Sequence, residues 1–121
     1  MSIAMILASA LVVQAPAPGD AVEVAYPEMV AGRSAAAISK IERANPRDAG
    51  HPARLINLGI AQARLGNEEQ ARKLFAEAAA CNERYWLETA SGEWVDARNL
   101  ARDALARLDR GEFAAPTLAS R

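Results

Sequence analysis

Few side chains in this chain of 121 residues could act as nucleophiles, bases or metal ligands. Cys81 is the only cysteine and His51 is the only histidine. A zinc site needs three or four protein ligands, so this pair cannot build one, and a single cysteine forms no internal disulfide. Nucleophilic catalysis by the pair would also need a third, orienting group, which no motif supplies. The sequence therefore predicts no metal, no cofactor and no enzymatic activity.

The remaining polar residues favour a solvated surface over a chemical site. Ser34, Ser39 and Ser91 have no histidine near them in the sequence. Glu88 and Glu93 flank a predicted turn, where exposed carboxylates are common. The net charge is −1, from 14 basic and 15 acidic side chains, which provides no electrostatic argument for binding nucleic acid or an anionic membrane.

The N-terminal end of the chain has the pattern of a secretory signal peptide. An apolar run of eleven residues, Ile3 to Val13, is followed by small and turn-forming residues up to Asp20. The run is too short to span a bilayer, which takes about 20 apolar residues. We predict a leader over residues 1–19 that is cleaved after Gly19, and a protein that is periplasmic or secreted. No Lys or Arg precedes the run, so an uncleaved anchor and an incorrect start site stay open as alternatives.

Beyond the leader, apolar residues recur at helical spacing over most of the chain. Pro52 suits the first position of a helix and Gly66 suits the position just after its end. Gly59, in the middle of that helix, indicates a close approach by another backbone. We predict a short helix starting near Pro27 and longer helices over 33–44, 52–65, 67–80 and 96–109.

The segment over 85–95 differs in character from the helices. Trp86 and Leu87 favour a strand, and Ala90-Ser91-Gly92 is typical of a bulged hairpin turn with glycine last. A small β-hairpin is the first interpretation of this segment, and a short helix with a long turn is the second.

A period of 34 residues runs through the helical part of the chain. Residues of similar type recur at this spacing: Gly32 with Gly66, Ala37 with Ala71, Ile41 with Phe75, and Ala44 with Ala78. This is the repeat length of tetratricopeptide helix–turn–helix arrays. Gly92 follows Gly66 by only 26 residues, so a third unit lacks eight residues of its first helix.

The stretch 52–85 resembles one tetratricopeptide repeat. Leu55-x-x-Leu58-Gly59 stands at the family's W-x-x-L-G positions, with Leu in place of Trp, and Ala71-x-x-x-Phe75 matches its A-x-x-x-F. Gln62 stands where the family usually has Tyr, and Glu83 stands where Pro commonly ends the second helix. The flanking copies are incomplete.

The resemblance implies a mainly α fold, in which antiparallel helical hairpins form a short right-handed solenoid with the small β-hairpin at 85–95. We predict four parts along the chain: a leader over 1–19, a helical domain over 20–111, its one complete repeat over 52–85, and a flexible tail over 112–121.

The resemblance also implies a function, because such repeats use the inner face of each first helix as a groove. In this chain the face would carry the candidate partner-binding residues Ala53, Ile56, Asn57, Ile60, Ala63 and Arg64. The other interpretation is that Ile56 and Ile60 pack on the neighbouring units. The predicted function is a non-enzymatic protein–protein interaction module in the cell envelope, with a protein or apolar peptide as partner.

The alternative function is that of a self-associating structural protein of the envelope. An incomplete array has exposed apolar ends, which a homodimer would cover. Trp86 and Trp94 are the candidate contacts, and the other interpretation is that they plug the end of the array. Membrane contact is expected only through an uncleaved leader.

Overall fold

Residues 11–16 and 21–113 are described by the structure, which is a computed structural model. They form five α-helices and three short β-strands. In chain order these are strand β1 (Val13–Pro16), helices α1 (Tyr26–Val30), α2 (Ser34–Glu42), α3 (Pro52–Arg64) and α4 (Glu68–Ala79), strands β2 (Trp86–Thr89) and β3 (Trp94–Asp96), and helix α5 (Ala97–Asp109). A short 3-10 turn at Pro46–Asp48 connects α2 to α3. The prediction of a mainly helical fold with a small β element is confirmed.

The ends of α3 follow from three residues. His51 caps the helix, because its Nδ1 accepts a hydrogen bond of 3.1 Å from the Ala53 N–H. Pro52 occupies the first turn, where its missing N–H leaves no hydrogen bond unmade. Gly66 has φ +87°, a left-handed conformation that favours glycine just beyond a helix. The predicted start and end of this helix are therefore confirmed to within a residue.

Each long helix packs on the next one along the chain: α2 on α3, α3 on α4, and α4 on α5. The Phe75 ring of α4 is fully buried and lies over Gly59 of α3. A Cβ added at Gly59 would come within 2.7 Å of Phe75 Cδ1, which is far inside van der Waals contact. The close approach predicted at Gly59 therefore exists, but the prediction that a backbone makes it is wrong, because an aromatic ring fills the space.

The three strands form one antiparallel sheet in the order β1-β2-β3. β2 and β3 form the predicted hairpin, with Leu87 opposite Val95. Gly92 ends its turn with φ +88°, as a bulged three-residue turn requires. The hairpin interpretation of 85–95 is confirmed, and the short-helix interpretation is wrong.

Strand β1 is an element that the sequence analysis did not predict. It belongs to the N-terminal segment, residues 11–16, and pairs with β2 through Val13 opposite Thr89 and Pro16 opposite Leu87. The segment lies within the predicted leader, so the folded unit of this chain includes residues before the predicted boundary at 20. Removal of the leader stays a prediction, and residues 1–10 and 17–20 lie outside the described residues.

The predicted tail over 112–121 also begins inside the folded unit. Phe113 is buried, and its ring centroid lies 5.8 Å from that of Phe75. The aromatic contact therefore extends the packed part of the chain two residues beyond the predicted boundary at 111. Residues 114–121 lie outside the described residues.

Candidate binding site on helix α3

The structure brings the six candidate residues of α3 together, but they do not line an open groove. Five of them are buried: Ala53, Ile56, Asn57, Ile60 and Ala63. The sixth, Arg64, is partly buried, and its Nη1 donates a hydrogen bond of 2.8 Å to the Met29 carbonyl of α1. Burial lowers the pKa of the Arg64 guanidinium, although an arginine remains protonated at neutral pH. The predicted groove is thus covered by other parts of the same chain.

Asn57 is a fully buried polar residue of this covered face, and its amide binds the main chain of β1. Its Oδ1 accepts a hydrogen bond of 2.8 Å from the Val13 N–H, and its Nδ2 donates one of 2.9 Å to the Val13 carbonyl. Nδ2 also donates a hydrogen bond of 2.8 Å to the Val24 carbonyl. A fully buried amide must be satisfied in this way, because it has no water to bind. Asn57 therefore joins α3 to two separate segments of backbone.

The turn between β2 and β3 makes further contacts with the N-terminal segment. The Ala90 N–H donates a hydrogen bond of 2.8 Å to the Val12 carbonyl. Gln14 Nε2 donates one of 3.2 Å to the Thr89 carbonyl. Val12 and Val13 are both fully buried. Successive side chains of an extended chain point in opposite directions, so the segment is covered on both sides here.

The second segment against Asn57 has a left-handed turn at Ala25. This residue has φ +52°, which costs a non-glycine residue roughly 1 kcal/mol. Its N–H donates a hydrogen bond of 2.8 Å to the Glu23 carboxylate, and its methyl group is fully buried. The turn starts α1 at the next residue and leaves the Val24 carbonyl bound to the Asn57 amide. Strain of this kind is often found at binding sites.

Trp86 and Trp94 lie on the solvent face of the hairpin. Their side chains are 48% and 46% exposed. Leu87, which follows Trp86 in β2 and points to the opposite face of the sheet, is fully buried. Trp94 is opposite Glu88, so the two tryptophans are diagonal neighbours on one face, close enough for their side chains to meet. The structure does not place them in the interior, as plugging the end of the array would require.

Asp96 fixes the start of α5 beside these tryptophans. Its Oδ1 accepts a hydrogen bond of 2.8 Å from the Arg98 N–H, which caps the helix. Its Oδ2 lies 3.5 Å from Arg84 Nε and 3.6 Å from Arg98 Nη2. Partial burial raises the pKa of Asp96, but the Arg98 hydrogen bonds and the two guanidinium charges together hold the pKa below its usual range.

The His51 side chain belongs to the scaffold around the start of α3. The His51 ring lies 4.6 Å from the Tyr85 ring, and its Nδ1 serves the helix cap. Over residues 11–16 and 21–113, no three His, Cys, Asp or Glu side chains are grouped closely enough to hold a metal ion. Within the same ranges, no helix has the length and apolar character needed to cross a membrane.

No protein-family model, curated protein or solved structure matches this chain. The function of the site is therefore inferred from its geometry. Sequence reasoning identified Asn57 and its helix face but missed Val12, Val13 and Ala90. One signal for the first two was available, because a pair of β-branched residues ending a short apolar run also suits a buried strand.

Proposed function

We propose that this protein is a non-enzymatic protein-interaction module of the cell envelope, built as a short tetratricopeptide-like array. The observation that carries the proposal is the Asn57 amide, which binds both backbone groups of Val13 in an extended segment. Any polypeptide offers these backbone groups, so the same amide suits a partner's main chain. Ile56 and Ile60 beside it suit aliphatic side chains. The apolar run of residues 3–13 supports an envelope location.

Equivalent positions in three successive units support the array. Glycines with positive φ stand at Gly32, Gly66 and Gly92. Five positions after each glycine is a buried alanine, namely Ala37, Ala71 and Ala97. A fully buried residue stands nine positions after each glycine, namely Ile41, Phe75 and Ala101. In the third unit the β2–β3 hairpin takes the place of a first helix.

Affinity capture from envelope extract tests the proposed function. One bait is the chain from Asp20 onward, the predicted mature form, and the other is the full chain, in which residues 11–16 cover α3. We expect the shorter bait to recover a protein that the full chain does not, and a synthetic peptide of residues 11–16 to displace that protein. Recovery of the same proteins by both baits, or of none by either, would count against α3 as a binding surface.

A second candidate function is self-association through the hairpin face that carries Trp86 and Trp94. The observation that favours it is that both side chains, on one small face, are nearly half exposed. Contact between this apolar surface and water is unfavourable, and a second copy of the chain would remove it. Light scattering on the purified full chain tests it. A dimer that the double substitution Trp86→Ser and Trp94→Ser converts to a monomer would support this function, and a monomer at every concentration would exclude it.

A further inference from the structure

We infer that α3 and the β1-facing edge of β2 form a site for an extended segment of a partner polypeptide, and that residues 11–16 block this site in the unprocessed chain. The inference rests on the proposed function, because it specifies which ligand the interaction module binds. The partner segment takes the place of β1, pairs antiparallel with β2 and carries two successive aliphatic residues.

The main-chain contacts determine how such a segment binds. Asn57 bonds both the N–H and the carbonyl of the residue at position 13, at 2.8 and 2.9 Å. The Ala90 N–H bonds the carbonyl of the preceding residue at 2.8 Å. Together with antiparallel pairing to β2, these contacts set the direction and register of the segment without using its side chains.

The side chains of the N-terminal segment indicate what sequence the site accepts. Val12 and Val13 are fully buried, so a charged residue at either position would lose its hydration without gaining a partner. Gln14 is only partly buried and bonds the Thr89 carbonyl, so a polar residue fits there. Pro16 at the last position has no N–H and ends the ladder. The site thus selects two aliphatic residues followed by a polar one.

Removal of residues 1–19 leaves these groups without their partners. Asn57 keeps its hydrogen bond to Val24, but its Oδ1 and one Nδ2 hydrogen lose the Val13 backbone. β2 becomes an edge strand, whose free N–H and carbonyl groups are a template for pairing with another chain. The face of α3 that contacts β1 is uncovered at the same time. An incoming strand restores all three interactions.

While the N-terminal segment remains attached, it competes strongly with any free ligand. Residues 17–20 are the whole connection between β1 and Ala21. A tether this short gives the segment an effective concentration of about 1 mM. A partner segment of equal intrinsic affinity present at about 1 μM would be disfavoured about 1,000-fold. The leader is therefore a blocking strand as well as a targeting signal.

The experiment uses the full chain with a recognition sequence for a site-specific protease inserted between Pro18 and Gly19. The probe is a fluorescent, N-acetylated peptide with the sequence of residues 11–16, Leu-Val-Val-Gln-Ala-Pro. We expect no binding before cleavage, and binding by fluorescence anisotropy after cleavage and removal of the released fragment. A matched peptide, N-methylated at residue 13, lacks the hydrogen that Asn57 accepts and should bind about tenfold more weakly.

Three results would overturn the inference: equal affinity for both peptides, no binding after cleavage, and equal binding before and after cleavage. The envelope capture experiment distinguishes failure of the proposed function from failure of the inferred site for an extended partner segment. If capture succeeds while the peptide experiment gives one of these three results, the proposed function stands and only the inferred site on α3 and β2 fails. If capture also fails, both fail.

Circular dichroism checks whether the cleaved chain stays folded. If loss of the fragment reduces the helical signal, the unmodified peptide should restore it and the N-methylated peptide should not. Restoration by neither peptide would also contradict the inference. In the uncut chain, Val13→Asp should release the segment and permit probe binding, whereas Val30→Asp, at a position 50% exposed, should not. Failure of Val13→Asp to bind the probe would oppose the blocking role.

Discussion

Replacing Asn57 by leucine should destabilise the full chain by about 3 kcal/mol. Leucine branches at the same carbon as asparagine, so it fills the space without creating a large cavity. The change leaves three buried backbone groups without their partner: the Val13 N–H, the Val13 carbonyl and the Val24 carbonyl. Each unsatisfied group costs about 1–3 kcal/mol, and the lower end of that range is used for each of the three groups. Three groups at about 1 kcal/mol each give the expected loss.

Urea unfolding monitored by tryptophan fluorescence measures this loss. Trp86 and Trp94 report it, because Trp86 lies in β2, which pairs with β1, and Trp94 lies in β3 on the other side of β2. The matched control is Asn99→Leu on α5. The exposed Asn99 side chain accepts a hydrogen bond from the Arg102 side chain, and the change should stay within about 0.5 kcal/mol. A loss below about 1 kcal/mol for Asn57→Leu would refute the view that its amide ties β1 to α3.

The same substitution should have a smaller effect in the chain that begins at Asp20. Only the hydrogen bond to Val24 is left to lose there, so the expected change is about 1 kcal/mol. An equal loss of about 3 kcal/mol in both chain lengths would mean that Asn57 stabilises the fold independently of the N-terminal segment.

Three further predictions concern the scaffold. Gly59→Ala should lower the free energy of unfolding by about 1–3 kcal/mol, despite the better helix propensity of alanine, because the added methyl meets the buried Phe75 ring. In thermal unfolding, adding Phe75→Leu should cost less than the sum of the two single changes; strict additivity would argue against the clash. The pKa of Asp96 is lower in the folded chain than its unfolded value of about 3.9, so the charged carboxylate stabilises the fold above that pH and this contribution is lost as pH falls through the folded pKa. Asp96→Asn should therefore reduce the loss of unfolding free energy between about pH 6 and about pH 3, and profiles parallel to the parent chain would contradict this. The exposed Arg72–Asp109 ion pair between α4 and α5 should show a coupling below about 1 kcal/mol in a double-mutant cycle, and a larger value would show that it is not screened by solvent.

The elements predicted well are those whose signals are local. The α3 helix has apolar residues at helical spacing, Pro52 at its start and Gly66 after its end, so both boundaries follow from neighbouring residues. The hairpin follows from Ala90-Ser91-Gly92, because the turn needs glycine in a left-handed conformation. In both cases a few adjacent residues determine the backbone.

Strand β1 was missed because its partner strand β2 is distant in the sequence, and because its residues are compatible with two interpretations. Gln14 and Thr89, which share a hydrogen bond across β1 and β2, are 75 residues apart, and no local pattern indicates that pairing. A short apolar run ending in Val12 and Val13 suits both a leader and a buried strand. The resemblance to a tetratricopeptide repeat likewise implied that Asn57 lies on the inner face of α3, but it could not identify a hydrogen-bond partner 44 residues away.

The most direct test of the central claim, that α3 binds extended main chain through Asn57, is an NMR measurement on the isotope-labelled full chain. We expect nuclear Overhauser contacts between the Asn57 side-chain amide and Val13. The Val13 N–H should also exchange with solvent as slowly as the N–H of Ile60 in the middle of α3. Absence of these contacts, together with exchange of the Val13 N–H at the rate of an unprotected amide, would contradict the claim.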